Sequence, residues 1–418
     1  MIPLQTSGDL GDLLSGIADR PIVMLGEASH GTHEYYTWRA AISKKLIEEK
    51  GFSFIAVEGD WPDCYVVNRY VKGYPDAGED IQNVLKKFDR WPTWMWGNWE
   101  IAALAEWLRE YNKSLPLEKK VGFYGLDVYS LWDSMETMVK YLEKEDPTAA
   151  NAARRALACF EPFQGDEHNY ARFTLDDYGC RDEVLALLKE VRLKAQFLDG
   201  DREAGFNTEQ NALIAVNAEK YYRAMVRFDS DSWNIRDTHM METLRRLMLF
   251  HGRASKGIVW EHNTHIGDAR ATDMKNAGMI NLGQLAREEY GKDRVCLVGF
   301  SSYKGTVMAG EEWGAPMQEM EVPAARDGSI ESILHAMGNN DGYILLQREN
   351  DPVFRARLPH RAIGVVYLPS REKFGNYVPT ILSERYDAFI FLDTTTALHP
   401  LHLHPDKNKL PDTYPFSL

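Results

Sequence analysis

The chain has 418 residues, with 48 Lys+Arg against 62 Asp+Glu and a formal net charge of −14. That balance repels a nucleic-acid backbone or an anionic membrane on average, so neither is expected as a partner. A hydrophobic content of 44% with 26% charged residues excludes disordered, collagen-like and disulfide-scaffold classes, and the length allows two to three domains or one large α/β body with an insertion.

The amino terminus MIPLQTSGDLGDLL lacks the basic and apolar regions of a secretory signal, and no apolar run reaches the ~18 residues of a membrane span. Cys64, Cys159, Cys180 and Cys296 show no C-x-x-C spacing, which predicts reduced thiols and a cytoplasmic protein.

In chain order, Ile22 to Leu25 reads as a first strand closed by Gly26. Tyr36, Ala40, Leu46 and Ile47 then follow helical spacing up to a capping Gly51. Further strands are predicted at Phe54 to Val57, Val121 to Leu126, Ile258 to Trp260, Val295 to Val298 and Ala388 to Leu392. Strands alternating with longer amphipathic segments predict an α/β fold, a mostly parallel central sheet flanked by helices. The stretch between the third and fourth strands is rich in Ala, Leu, Lys and Glu and reads as an inserted helical lobe. The expected divisions are 1–130 and 254–418 as two parts of the α/β core, 131–253 as the helical insertion, and an irregular carboxyl-terminal tail.

Each strand-like run is followed by residues that can do chemistry. Glu27, His30, His33 and Glu34 follow the first, Glu58 and Asp60 the second, Asp127 the third, and Glu261, His262 and His265 the fourth. The carboxyl ends of parallel strands form one rim, outside which ligands bind, so these segments are expected to converge. With 12 histidines, about 0.3 pairs at i, i+3 are expected by chance, yet His30/His33, His262/His265 and His399/His402 all occur. For His30, His262 and Glu58 together the functional reading outweighs that of structural imidazoles, whereas His399, His402 and His404 read as a solvated tail.

Several motifs are absent. Gly26-Glu27-Ala28-Ser29-His30-Gly31 has one residue too many before its serine for a nucleophile elbow, and His33-Glu34-Tyr35-Tyr36-Thr37 lacks the second histidine of a zincin. Neither a P-loop nor G-x-G-x-x-G occurs. What remains, imidazoles and carboxylates without a nucleophile, suits the activation of water. Arg39, on its residues alone, reads as a surface ion-pair partner of Glu48 or Glu49. Trp91, Trp94, Trp96 and Trp99 do not share one helical face. They read equally as an aromatic wall over a ligand, with Trp94 and Trp96 as substrate contacts, and as an anchor between lobe and sheet.

The segment GEASHGTHEYYTWR, with Glu58 in FIAVEGD and the later WEHNTHIGDAR, resembles the erythromycin esterase family and its bacterial relatives, some labelled as succinoglycan-biosynthesis proteins. The family pattern runs Gly-Glu-x-x-His, an arginine nine residues on, a glutamate closing the second strand, and His-Asn-x-His. The resemblance implies hydrolysis of a macrocyclic lactone or related small-molecule ester by water, without a covalent intermediate or a required cofactor. It implies His30 as general base, Glu58 as the carboxylate orienting it, His262 and His265 as partners to water or oxyanion, and site roles for Glu27 and Arg39. NIRDTHM resembles the family's arginine-aspartate segment, which makes Arg236 a substrate-binding candidate together with Asp127. Two alternatives stay open: a hydrolase in which Glu27, His30, Glu58, His262 and His265 hold zinc or another divalent ion, and a binding protein without turnover. Oligomeric state is not legible.

Overall fold

The computed structural model describes residues 1–163, 167–176, 179–194, 202–226, 230–338 and 340–401. Its strands in chain order are β1 (Ile2–Pro3), β2 (Ile22–Leu25), β3 (Phe54–Asp60), β4 (Gly122–Asp127), β5 (Gly257–Trp260), β6 (Val295–Ala309), β7 (Gln318–Val322), β8 (Gly342–Leu345), β9 (Arg357–Arg361), β10 (Tyr377–Ile381) and β11 (Ala388–Thr395). The main sheet runs β1-β8-β11-β6-β2-β5-β3-β4, with β7 on β6, and β9 pairs β10 separately. The pairs β11/β6, β6/β2, β2/β5 and β5/β3 are parallel, while β8 and β7 run antiparallel to their neighbours. This is the expected α/β class, with a mostly parallel sheet flanked by helices. The central strands IVML and GIVW are buried at every position, as strands covered on both faces must be.

The predicted strands are all present, and the sheet is larger than expected. Val295–Val298 is the start of a 15-residue strand that is buried except at Tyr303–Thr306. β1, β7, β8, β9 and β10 escaped prediction: QEMEV and RLPHR are short, polar and half-exposed, and the buried GYIL of β8 is only four residues long. The helix expected after β2 spans His33–Lys50 and ends on Gly51 in the left-handed conformation at φ 69°.

Contacts divide the chain into two compact units. The first comprises Met1–Val57, Val66–Phe123 and Arg253–Leu418, the second Glu58–Tyr65 and Tyr124–Gly252. The second unit contains the α-helices Leu131–Glu145, Pro147–Phe160, Glu167–Phe173, Arg181–Lys194, Arg202–Met225 and Asp231–Phe250. Within it Trp61 stacks on Tyr124 at 5.5 Å and donates its indole N–H to Asn207 at 2.8 Å. The reduced state expected for the cysteines does not hold throughout: Cys159 and Cys180, with Cα atoms 5.8 Å apart, form a disulfide, whereas Cys64 and Cys296 are free and buried. Sequence spacing carried no sign of that pairing, because the helical packing brings the two together. No described helix is long and apolar enough to cross a membrane.

The part of the first unit that matters most is the loop after β2. The Gly26 N–H donates to Val298 O at 2.8 Å. The loop carbonyls accept in turn from distant segments: Glu27 O from Asn263 N–H (2.8 Å), Ala28 O from Ile363 N–H (2.7 Å), and Gly31 O from both Met308 and Leu398 N–H (2.9 Å each). The Tyr36 hydroxyl donates to His30 O at 3.1 Å. These approaches are close enough to demand glycine. A Cβ on Gly26 would lie 2.1 Å from Asn263 Oδ1, and one on Gly31 would lie 1.9 Å from Met308 O.

Gly31→Ala is therefore expected to lower stability by about 1–3 kcal/mol or more, the range for overpacking. Gly364→Ala, where a Cβ meets nothing within 4 Å, should stay within about 0.5 kcal/mol. Chemical denaturation of both variants checks the contrast.

Candidate active site

β2 delivers Gly26 and Glu27 into the interior, and Glu27 is fully buried. An isolated carboxylate there would pay a large desolvation cost, so both of its oxygens are engaged. Oε1 lies 3.0 Å from His30 Nδ1, and Oε2 accepts from Arg39 Nη2 at 2.6 Å. Arg39 is buried too, its guanidinium 4.5 Å from the Tyr36 ring centroid and 4.8 Å from that of Trp260. The helix begins at His33, which places Arg39 near enough to reach back to Glu27, and the surface pairing with Glu48 or Glu49 is not what forms. With Nδ1–H directed at the Glu27 carboxylate, the neutral His30 ring carries its basic lone pair on Nε2.

His262 enters from β5, the strand beside β2, where Leu25 pairs with Trp260. Its ring centroid lies 4.9 Å from that of His30, tilted by 39°. His262 caps the Asn263–Ile266 turn: its Nδ1 accepts from Thr264 N–H at 3.3 Å and lies 2.8 Å from Thr264 Oγ1. A ring accepting at Nδ1 bears its proton on Nε2, so it is poised as a donor. The two rings thus stand side by side with opposite tautomers. His265 is buried one turn further along.

Asn263, inside the His-Asn-x-His motif, had no role in the sequence reading. Its Nδ2 donates to Phe300 O at 2.6 Å and its Oδ1 accepts from Phe300 N–H at 3.3 Å. The side chain thereby ties the residues after β5 to the interior of β6, while its own N–H holds Glu27 O. The signal for it was the Gly26 that its side-chain oxygen crowds.

Within the second unit Glu58, Asp127 and Arg236 are joined by ion pairs. Arg236 Nη2 donates to Glu58 Oε1 at 2.7 Å and to Asp127 Oδ2 at 2.6 Å, and Nε donates to Asp127 Oδ1 at 2.9 Å. The guanidinium lies 4.9 Å from the Tyr129 ring centroid. The carboxylate at His30 Nδ1 is Glu27, one of the two candidates for orienting it, and Glu58 forms an ion pair with Arg236.

Trp94 and Trp96, expected as substrate contacts, are buried at 0% and 4% exposure. Trp96 packs 6.0 Å from Tyr36 and 6.4 Å from Phe123. Trp99 opens the Trp99–Asn112 helix, which Asn98 caps by accepting from Ile101 N–H at 2.8 Å.

Of the expected metal donors, Glu27, His30 and His262 lie together, and a separate group of donor atoms also converges. Glu27 has both oxygens committed to His30 and Arg39. Among the described residues, histidine and carboxylate atoms lie within 4.8 Å of one another at His33, Glu100 and His399. Nδ1 of His33 lies 2.7 Å and Nδ1 of His399 2.6 Å from the same Glu100 Oε1. Burial pushes the Glu100 carboxyl up, but the two imidazoles outweigh it and hold it below the usual range. His399 is accordingly no solvated tail residue, while His402 and His404 lie outside the described residues.

Comparison with known proteins agrees with this architecture. The sequence profile described as Erythromycin esterase matches residues 47–395, a span that begins after Glu27, His30 and Arg39. Erythromycin esterase type II of Escherichia coli is 24% identical over 370 residues, covering 82% of this chain and 85% of that protein. The putative hydrolase YbfO of Bacillus subtilis (strain 168) is 20% identical over 420 residues, covering 94% and 89%. A Bacillus cereus protein of solved structure superimposes with a TM-score of 0.80 at 20% identity, covering 96% of each chain. A succinoglycan biosynthesis protein does so at 0.76 and 21%, covering 95% of each. A mutant of the erythromycin esterase EreC does so at 0.67 and 16%, covering 94% of this chain and 95% of that one. With the profile spanning most of its length, the chain belongs to the erythromycin esterase family.

Proposed function

We propose that the protein hydrolyses a carboxylic ester or lactone through water activated by His30. The observation that carries this reading is the relay Arg39–Glu27–His30 with the His262 ring beside it. In the proposed reaction His30 Nε2 takes a proton from water as the water oxygen attacks the acyl carbon. The His262 Nε2–H donates to the oxyanion that forms. Collapse breaks the bond from carbon to the leaving oxygen, which receives the proton from His30 and leaves as the alcohol. A lactone opens to a hydroxy acid. Glu27 and Arg39 are positioning residues: the carboxylate holds the His30 tautomer and stabilises the imidazolium, and the guanidinium offsets the buried carboxylate charge.

Glu58 enters this reading through the family motif, and Asp127 and Arg236 through their ion pairs with it. The family name and the Escherichia coli relative point to a macrolide lactone as the first substrate to try.

Incubation with 14-membered macrolides, simple lactones and aryl esters, followed by mass spectrometry, is expected to show a product heavier by one water. His30→Asn should lower kcat/KM by about 10²–10⁴-fold, the contribution of a general base. Turnover that survives this substitution sinks the assigned base, and no turnover across the panel sinks the esterase reading. Arg39→Gln is expected to lower kcat with KM little changed and to cost about 3–5 kcal/mol of stability, because it leaves a buried carboxylate without its cation. Thermal and denaturant unfolding beside steady-state kinetics separate the two effects.

A further inference from the structure

His33, Glu100 and His399 come from three separated segments of the first unit, and the proposed ester chemistry uses none of them. His33 opens the His33–Lys50 helix and Glu100 lies in the first turn of the Trp99–Asn112 helix. His399 lies in the segment after β11, which is held to both helix starts by backbone hydrogen bonds. His33 N–H donates to Thr396 O at 2.9 Å, Trp99 N–H to His399 O at 3.0 Å, and Leu401 N–H to Gly97 O at 2.9 Å. Glu34 fastens the same segment by accepting from Thr396 N–H and Oγ1 at 2.8 Å each.

The local chemistry is lopsided. Both imidazoles direct Nδ1 at one oxygen of Glu100, while Glu100 Oε2 is buried and has no hydrogen-bond partner among the described residues. A buried carboxylate oxygen left in that state is costly unless something else is to be bound there. The imidazole side chains remain 17% and 38% exposed, which leaves an entry path.

We propose that His33, Glu100 and His399 bind one divalent transition-metal ion of the zinc type, with water in the fourth position. Imidazole nitrogen and carboxylate oxygen are the donors such an ion takes, at ligand distances that put neighbouring donors about 3.3 Å apart in a tetrahedron. The present separations of 2.7 and 2.6 Å are those of hydrogen bonds. Binding moves each Nδ1 out by about half an ångström or slightly more, a small displacement for partly exposed rings. Each ring gives up its Nδ1 proton in favour of the Nε2 tautomer and stays neutral. The ion pins the 396–401 segment across the loop that carries His30. This inference does not rest on the ester-hydrolysis reading.

The test uses the full chain, stripped with a chelator and titrated with cobalt(II) or zinc(II) alone. One equivalent of cobalt(II) is expected to give the visible band of a tetrahedral site, and zinc(II) should displace it and raise Tm. His33→Asn and His399→Asn are each expected to weaken binding on the order of a hundredfold, whereas the His402→Ala/His404→Ala pair and His30→Asn should bind as before. Anomalous scattering from a zinc-soaked crystal locates the ion without any variant, should His399→Asn fail to fold. Absence of saturable binding, a scattering peak elsewhere, or binding that follows His402 and His404 or His30 overturns the proposal.

Discussion

The six residues from Gly26 to Gly31 have almost no conformational freedom, and the proposed active site depends on that restriction. Their backbone polar groups are taken by Asn263, Val298, Met308, Ile363, Leu398 and the Tyr36 hydroxyl, which arrive from widely separated parts of the chain. Two glycines allow the approach, because side chains at 26 or 31 would overlap Asn263 or Met308. A loop held in this way presents His30 without further ordering when a ligand arrives, and pre-organisation of that kind is where much of an enzyme's rate comes from.

The same loop solves an electrostatic problem. Glu27 is carried into the core by β2, where its charge is tolerable only if matched, and Arg39 matches it from the following helix between two aromatic faces. That pair contributes little net stability by itself, since desolvating two ions offsets much of their attraction. Its effect is to determine which nitrogen of His30 is basic. In the second unit Arg236 serves Glu58 and Asp127 by a similar arrangement, one guanidinium spanning two carboxylates.

Much of the site was legible. The pattern Glu27, His30, Arg39 and His262 singled out residues that the structure brings together, and burial of the central strands followed from their unbroken apolar runs. His30 and His33 are three residues apart, but His30 is in the loop and His33 is the first residue of the helix. The two rings therefore go to different partners, one to Glu27 and the other to Glu100. Nor could the tail be read, since HPLHLH carries no periodicity and His399 is placed by backbone bonds to residues 300 positions away.

By itself the sequence determined the local elements: parallel strands marked by short apolar runs, polar residues at their carboxyl ends, a helix stopped by Gly51, and a family motif. Tertiary structure alone decided that β5 lies beside β2, so that His262 stands next to His30 although 232 residues separate them. It also put the Glu27 carboxylate on His30 Nδ1, buried Trp94 and Trp96, and joined Cys159 to Cys180. The physical reason is common to all four. Strand order and side-chain partnership are set by hydrogen bonding and packing between distant segments, and such contacts leave no periodic mark on the residues that make them.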